Sequence, residues 1–360
     1  MDFQPRDRRR EETVRVAFFT YPSAFQNIGG GEVLMMKLAR FLPGEDVEVK
    51  FFDIWKDRLA DFDVLHIFSC QKECLGLVEN ARASKVPVVV HPIAFETWSS
   101  VWHGVMPDAR IASLIRFAAK KMAPRISSDR RRVLMRANLL FPNSEKEAAY
   151  LERHFAVDRQ KMFVVPNGVD AEAEQASGAL FTSRTGLKDF VLCAGRVEPR
   201  KNQKNLVLAA RDLQTNVVVL GDPVKGYESY YRECRRLAPG NVTFLPSYPF
   251  GAPELYSAYA AAVALVLPAF VETPGLVGLE AGLIGKPLAV TNGGPTREYY
   301  DRDVVYLNPA SPASIAQAIR AALRKGPSDS LRRKIREKYL WSKVAARVRE
   351  GYERAGGVSA

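Results

Sequence analysis

Short apolar runs alternate with helix-patterned segments in two successive series, and this alternation constrains the fold of the 360-residue chain more than any other feature. Val14 to Thr20 (VRVAFFT) reads as a buried strand, a glycine turn follows at Asn27-Ile28-Gly29-Gly30-Gly31-Glu32, and VLMMKLARFL then places apolar residues at helical spacing. Strands at Val47 to Phe52, Asp63 to Phe68, Val86 to Val90 and Leu139 to Phe141 complete the first series. After residues 171–186 (AEAEQASGALFTSRTG), which are small, polar and weakly periodic, the pattern restarts with strands at Phe190 to Gly195, Val217 to Gly221, Val242 to Leu245, Ala264 to Leu267, Pro287 to Thr291 and Val304 to Tyr306. Continuous apolar runs joined by helices suit parallel strands covered on both faces. The pattern predicts an α/β fold of two doubly wound Rossmann-like domains facing a central cleft, with ligands at the carboxyl ends of the strands. The expected division is a first domain at 1–170, a linker at 171–186, a second domain at 187–340 and a terminal helical segment at 341–360.

Composition excludes several classes. At 47% hydrophobic and 26% charged, the chain buries full-size cores and is neither collagen-like nor disordered. The longest apolar stretch, Tyr259 to Val271, is too short to span a bilayer and contains Pro268. Met1 to Arg15 has no apolar signal-peptide core. Cys70, Cys74, Cys193 and Cys234 form neither a disulfide framework nor a zinc pattern, so a reducing cytoplasmic setting is expected. The net charge of +12 is uneven: residues 1–180 carry 26 basic and 24 acidic residues, residues 181–360 carry 26 and 16. Arg110 to Arg136 holds nine basic residues and one acidic, and Arg320 to Arg354 holds twelve and four. Such clusters suit a phosphorylated substrate, an anionic membrane or nucleic acid, or are solvated helix faces, but no nucleic-acid-binding motif accompanies them.

Two segments carry candidate chemistry. In Ala269 to Glu298, Glu272 and Glu280 stand eight apart around Thr273-Pro274-Gly275-Leu276-Val277-Gly278-Leu279. A helix starting near Gly275 turns the backbone N–H groups of Gly275, Leu276 and Val277 toward an anion, with a carboxylate on each side for sugar hydroxyls. A charged loop with a helix-capping glutamate leaves the same trace. In Gly195-Arg196-Val197-Glu198-Pro199-Arg200-Lys201-Asn202, Arg196 and Lys201 leave the first strand of the second domain together and converge on a phosphate pair, or else point into solvent.

GRVEPRKN at 195–202, ETPGLVGLEAGLIGKP at 272–287 and NGGPTREYY at 292–300 resemble the nucleotide-binding domain of retaining glycosyltransferases with the GT-B fold, of the glycosyltransferase family 4 type; the second contains that family's Glu-x7-Glu signature. GGGEVLMMKLARFL at 29–42, FPNSEKEAAYL at 141–151 and VVPNGVD at 164–170 match more loosely. The resemblance implies that Arg196 and Lys201 neutralise the donor diphosphate, that the amides of Gly275, Leu276 and Val277 bind the same group, that Glu272 holds sugar hydroxyls near the reacting carbon, and that Glu280 binds the ribose. Gly30 and Gly31 then line the cleft from the acceptor side, and the helix Trp341 to Arg354 crosses back to the first domain. It further implies transfer of a hexose from a GDP- or UDP-sugar to a glycan or lipid-linked acceptor, with retention and without a metal or other cofactor.

Three departures stand out. His91, where relatives carry a histidine that reaches the donor sugar, is followed at once by Pro92. Phe244-Leu245-Pro246-Ser247-Tyr248 lacks the glycine common in the base-contacting loop, and Pro274 stands where phenylalanine is common. Asp61-Phe62-Asp63 precedes its strand and reads as a surface turn rather than a metal-diphosphate site. The basic stretch Arg116 to Arg136, beside or interleaved with Ile111, Leu114, Ile115, Phe117 and Met122, suggests peripheral contact with an anionic membrane. A GT-B-shaped epimerase or hydrolase acting on a sugar nucleotide, and a basic nucleic-acid-binding protein, are the alternatives.

Overall fold

The computed structural model describes residues 13–26 and 28–356; most of the stretch Met1 to Arg15, and Asn27 of the glycine turn, lie outside them. The chain forms two compact units, the first from residues 13–94, Arg125–Pro166 and 341–356, the second from Phe95–Pro124 and Asn167–Leu340.

In the first unit, β1 (Val14–Phe19), β2 (Val47–Phe51), β3 (Val64–Phe68), β4 (Val88–His91) and β5 (Leu139–Leu140) form one parallel sheet in the order β2-β1-β3-β4-β5. Every residue of β3 and β4 is buried, which is why both read as unbroken apolar runs. The strand order reverses between β1 and β3, and the glycine turn leaves β1 at that switch point. The following helix, Gly30–Phe41, is N-capped at Gly29, whose N–H donates to Glu32 Oε2 at 2.8 Å. The helix Glu145–Phe155 begins as the sequence suggests, with Ser144 Oγ accepting from Glu147 N–H at 3.1 Å.

In the second unit, β6 (Phe190–Ala194), β7 (Asn216–Leu220), β8 (Val242–Leu245), β9 (Ala264–Leu267), β10 (Leu288–Thr291) and β11 (Val305–Leu307) form a parallel sheet in the order β11-β10-β9-β6-β7-β8. Leu192, Val218, Leu265 and Val290 point into a core on one face, whereas Val191, Cys193, Val217, Val219, Val266 and Ala289 point into a core on the other. The reversal falls between β6 and β9, the two strands that the candidate motifs follow.

Two expected boundaries need correction. Residues 171–186 are not a linker: they form a short 3-10 turn, Ala171–Gln175, and a helix, Ala179–Thr185, with Ala173 and Phe181 inside the second unit's core. Phe95–Pro124, assigned above to the first domain, packs with the second unit. There the His103 ring stacks on Phe270 with centroids 4.6 Å apart and planes 14° from parallel.

The first unit's core holds a polar chain. His66 Nδ1 lies 2.7 Å from the Tyr352 hydroxyl, and His66 Nε2 lies 2.7 Å from His91 Nδ1. Tyr352 belongs to the helix Trp341–Arg354, part of the same unit. His91 stacks on Phe68, with planes 9° apart, so its ring is directed into the core and tied to His66. Burial holds His66 well below its usual range and lowers His91 to about 3. Both are neutral when folded, whereas the unfolded chain takes up protons below about 6.5. The stability they contribute is therefore fully present above 6.5 and is lost as pH falls toward 3. Glu147, raised to about 7 by burial against its backbone hydrogen bonds, works in the opposite sense, its contribution being lost as pH rises from 4.5 through 7. A His66→Phe comparison isolates the histidine. From pH 7 to 5 the wild type loses more stability than the variant in urea denaturation; equal losses would place the proton uptake elsewhere.

Candidate active site

The loop after β6 begins at Gly195, with φ +139°, and a side chain at Gly221 would overlap the Gly195 carbonyl, so β6 and β7 end in close backbone contact. The chain then turns through Val197, fully buried, and a short 3-10 turn at Pro199–Lys201. It is locked by Asn202, left-handed at φ +63°, whose Nδ2 donates to the carbonyls of Pro268 at 2.8 Å and Pro309 at 2.7 Å. Pro268 directly follows β9, so this one buried amide clamps the loops on both sides of the switch point. Phe270 N–H donates to the Arg200 carbonyl at 3.0 Å and adds a second tie.

These ties bring Lys201 to Glu272. Lys201 Nζ donates to Glu272 Oε1 at 2.6 Å, and the glutamate side chain is only 6% exposed. A buried carboxylate is tolerated there because it is paired and charge-assisted. The 270–272 backbone is braced by the glycines of the Asn-Gly-Gly segment: Glu272 N–H donates to the Gly293 carbonyl at 3.2 Å, and side chains at Gly293 or Gly294 would collide with the Phe270 or Glu272 carbonyls. The signature helix starts one residue later than expected, at Leu276, and runs to Ile284. Gly275 is its N-cap, with φ +87° and no side-chain cap hydrogen bond. A Cβ on Gly275 would stand 3.0 Å from Glu272 Oε2, so the helix start and the carboxylate are immediate neighbours. The amides of Leu276 and Val277 open the helix without a side-chain cap, the arrangement that receives an anion. The Tyr300 hydroxyl donates to the Gly275 carbonyl at 3.1 Å and fixes this turn, while Asn167 Nδ2 donates to the Thr273 carbonyl at 3.1 Å.

The structure thus gathers Lys201, Glu272, Gly275, Leu276 and Val277 at one strand-end site. Arg196 leaves the same loop, but its guanidinium is partly exposed and lies 3.5 Å from Glu198 Oε1, which also accepts from Arg200 at 2.9 Å. Glu280 is buried within the signature helix and receives the Tyr259 hydroxyl. Gly30 and Gly31 open a helix of the first unit; space around Gly30 is free, whereas a side chain at Gly31 would meet Ile93. Asp63 accepts from Arg15 N–H at 2.8 Å, in keeping with a surface turn at Asp61-Phe62-Asp63. Among the described residues no group of three or more His, Cys, Asp or Glu side chains is placed to hold a metal. Sequence reasoning missed the residues that build the site without facing a ligand: Asn167, Glu198, Asn202 and Tyr300. A signal existed only for Asn202, since an asparagine closing a Pro-Arg-Lys turn suits the left-handed conformation.

Comparison with known proteins bears on the family and the fold. A glycosyl transferase 4-like domain matches residues 4–168, and the glycosyl transferases group 1 domain matches residues 183–339. A D-inositol 3-phosphate glycosyltransferase of Arthrobacter is 30% identical over 67% of this chain and 57% of its own length. Its counterpart in Paenarthrobacter aurescens is 28% identical over 70% and 66%. The chain thus spans between about half and two thirds of these curated relatives. Among solved structures, Anabaena HepE in complex with UDP aligns with a TM-score of 0.71 at 16% identity, covering 94% of this chain and 99% of that one. Sucrose-phosphate synthase from Thermosynechococcus elongatus aligns with a TM-score of 0.73 at 15% identity, covering 96% and 100%. Two doubly wound domains of this kind define the GT-B fold. The chain belongs to the glycosyltransferases of the family 4 type.

Proposed function

We propose that the protein transfers a hexose from a UDP- or GDP-sugar to a glycan or lipid-linked acceptor, with retention of configuration and without a metal. The observation that carries this reading is the Lys201–Glu272 pair beside a glycine-started helix with no side-chain cap, at the switch point of a Rossmann-like sheet. Departure of the leaving group builds negative charge on the diphosphate and positive charge on the anomeric carbon. Lys201, Arg196 and the amides of Gly275, Leu276 and Val277 stabilise the first, and fixed charges of this kind usually supply the largest share of catalysis. With these groups in place the diphosphate needs no cation between its oxygens. Glu272 binds sugar hydroxyls and Glu280 the ribose, while Gly30 and Gly31 face the acceptor. A solved neighbour that binds UDP-glucose makes uridine donors the first to test, and relatives named for inositol 3-phosphate make a phosphorylated polyol a useful acceptor control.

A thermal-shift panel of sugar nucleotides tests the reading, because a ligand that binds only the folded state raises Tm. UDP- or GDP-hexoses give the largest shift, and Glu280→Ala weakens donor affinity by about 10–100-fold, the loss of a hydrogen bond to a charged group. A panel in which no sugar nucleotide moves Tm would refute the proposal. Product analysis with and without acceptor separates a transferase, which needs the acceptor, from an epimerase or hydrolase, which does not.

A further inference from the structure

The basic stretch after residue 110 divides into two parts that the structure treats differently. Arg131 donates to the Phe155 carbonyl, and Arg132 and Arg136 both pair with Glu79, so the second part is occupied with internal contacts. In the first part, the helix Arg110–Met122, the cations lie along the sides of the helix, Arg110 and Lys121 over the Trp102 and Trp98 rings and Arg116 against Ser113 of its own turn. Phe117 is its one fully buried side chain, in edge contact with Trp98, and Leu114 is half-buried. The opposite side of the helix is apolar and uncovered: Ile111 is 69% exposed, Ile115 64% and Met122 85%, with exposed Ala119 between them. Positions 111, 115, 119 and 122 follow the i, i+4, i+8, i+11 spacing of a single helical stripe. Arg116 and Lys121 flank the stripe on its two sides, whereas the charge of Lys120 is offset by Glu96 at 3.3 Å.

We propose that this face of the helix Arg110–Met122 is a docking surface for an anionic lipid bilayer. Three isoleucine- or methionine-sized side chains on one stripe, flanked by cations, form the pattern of a helix lying in the interface plane, with its apolar residues among the acyl chains and its basic residues at acidic headgroups. No described helix is long and apolar enough to cross a membrane, so the contact is peripheral. On its protein side the element is joined to the donor loops: the preceding helix, Trp98–His103, ends in the ring stacked on Phe270, two residues before Glu272. Docking therefore holds the donor motif at the bilayer surface through a short, packed connection.

Vesicle co-sedimentation in the absence of sugar nucleotide tests this, so its result is independent of the transfer reading. The full chain partitions onto vesicles of equal parts phosphatidylglycerol and phosphatidylcholine at 50 mM salt, and at least tenfold less onto pure phosphatidylcholine or at 500 mM salt. Ile111→Asp/Ile115→Asp lowers partitioning at least tenfold at unchanged Tm, and Arg116→Glu/Lys121→Glu lowers it while flattening the salt dependence. No sedimentation of the wild type with the anionic vesicles, or equal sedimentation of the isoleucine variant, overturns the proposal. So does a concentration-dependent dimer in sedimentation velocity that the isoleucine variant converts to monomer, since a second copy of the chain is then the occupant.

Discussion

Lys201→Met lowers kcat by about 100–1000-fold, a loss of roughly 3–4 kcal/mol of transition-state stabilisation. The size follows from where the ammonium sits. Its side chain is 23% exposed and its Nζ is 2.6 Å from a carboxylate that is nearly buried, so it acts in a medium that screens it weakly. Removing it has two consequences that a single variant confounds: the leaving diphosphate loses a cation, and Glu272 is left buried without its partner, at a structural cost of its own. The double variant Lys201→Met/Glu272→Gln separates them. Because Glu272 has its own role on the sugar hydroxyls, the double variant is read against Glu272→Gln alone: if the lysine served only to neutralise Glu272, the two share one kcat, because a neutral amide needs no ammonium. If it stabilises the leaving group, the double variant falls well below Glu272→Gln in kcat while its Tm recovers toward the wild type. Arg196→Met costs less than Lys201→Met, because the guanidinium is more exposed and lies 3.5 Å from Glu198. Turnover of the sugar nucleotide that gives the largest thermal shift, followed as release of its nucleoside diphosphate, gives the values. A Lys201→Met enzyme within threefold of wild type would remove the electrostatic basis of the mechanism.

The strands were legible because most are continuous apolar runs bounded by turn residues, the edge strand β2 (VEVKF) alternating instead, and in both sheets the observed strands fall within a residue or two of the runs read from the sequence. Lys201 and Glu272 were legible as chemistry, since their residue types and spacing mark an anion site, but their pairing at 2.6 Å was not. That pairing depends on Asn202 joining two loops 66 residues apart, a long-range hydrogen bond that no local pattern encodes. The position of His91 was beyond local reading for the same reason: its ring direction is set by His66, 25 residues away, and by Phe68. The amphipathic helix Arg110–Met122 was visible as a mixture of basic and apolar residues. Which of them face inward depends on Trp98 covering Phe117, and that left Ile111, Ile115 and Met122 outside. The boundary at 171–186 failed for a different reason. Small and polar residues do not exclude burial when one large apolar side chain among them anchors the segment.

That anchor is Phe181, and Phe181→Ala lowers stability by about 3–5 kcal/mol, the cost of emptying a fully packed aromatic site. The side chain is 1% exposed, and its ring lies 5.4 Å from that of Phe190, the first residue of the central strand β6. The backbone around it is equally committed. Phe181 N–H donates to Ser257 Oγ at 2.9 Å, and Ser257 Oγ donates to the Ser177 carbonyl at 2.6 Å, so one hydroxyl of the helix Pro253–Ala261 secures the segment on both sides of Gly178. A side chain at Gly178 would crowd the Ala261 backbone at 2.7 Å, which shows how closely the two helices approach. Collapse of the site after truncation is therefore restricted, and the cavity term adds to the lost burial. In urea denaturation the fall appears in the transition of the second unit, where these partners lie. Exposed Ser183 on the same helix serves as the control, and Ser183→Ala changes stability by no more than about 0.5 kcal/mol. If Phe181→Ala proved as mild as Ser183→Ala, residues 171–186 would behave in solution as the tether their composition suggests, and the second unit would begin only at β6.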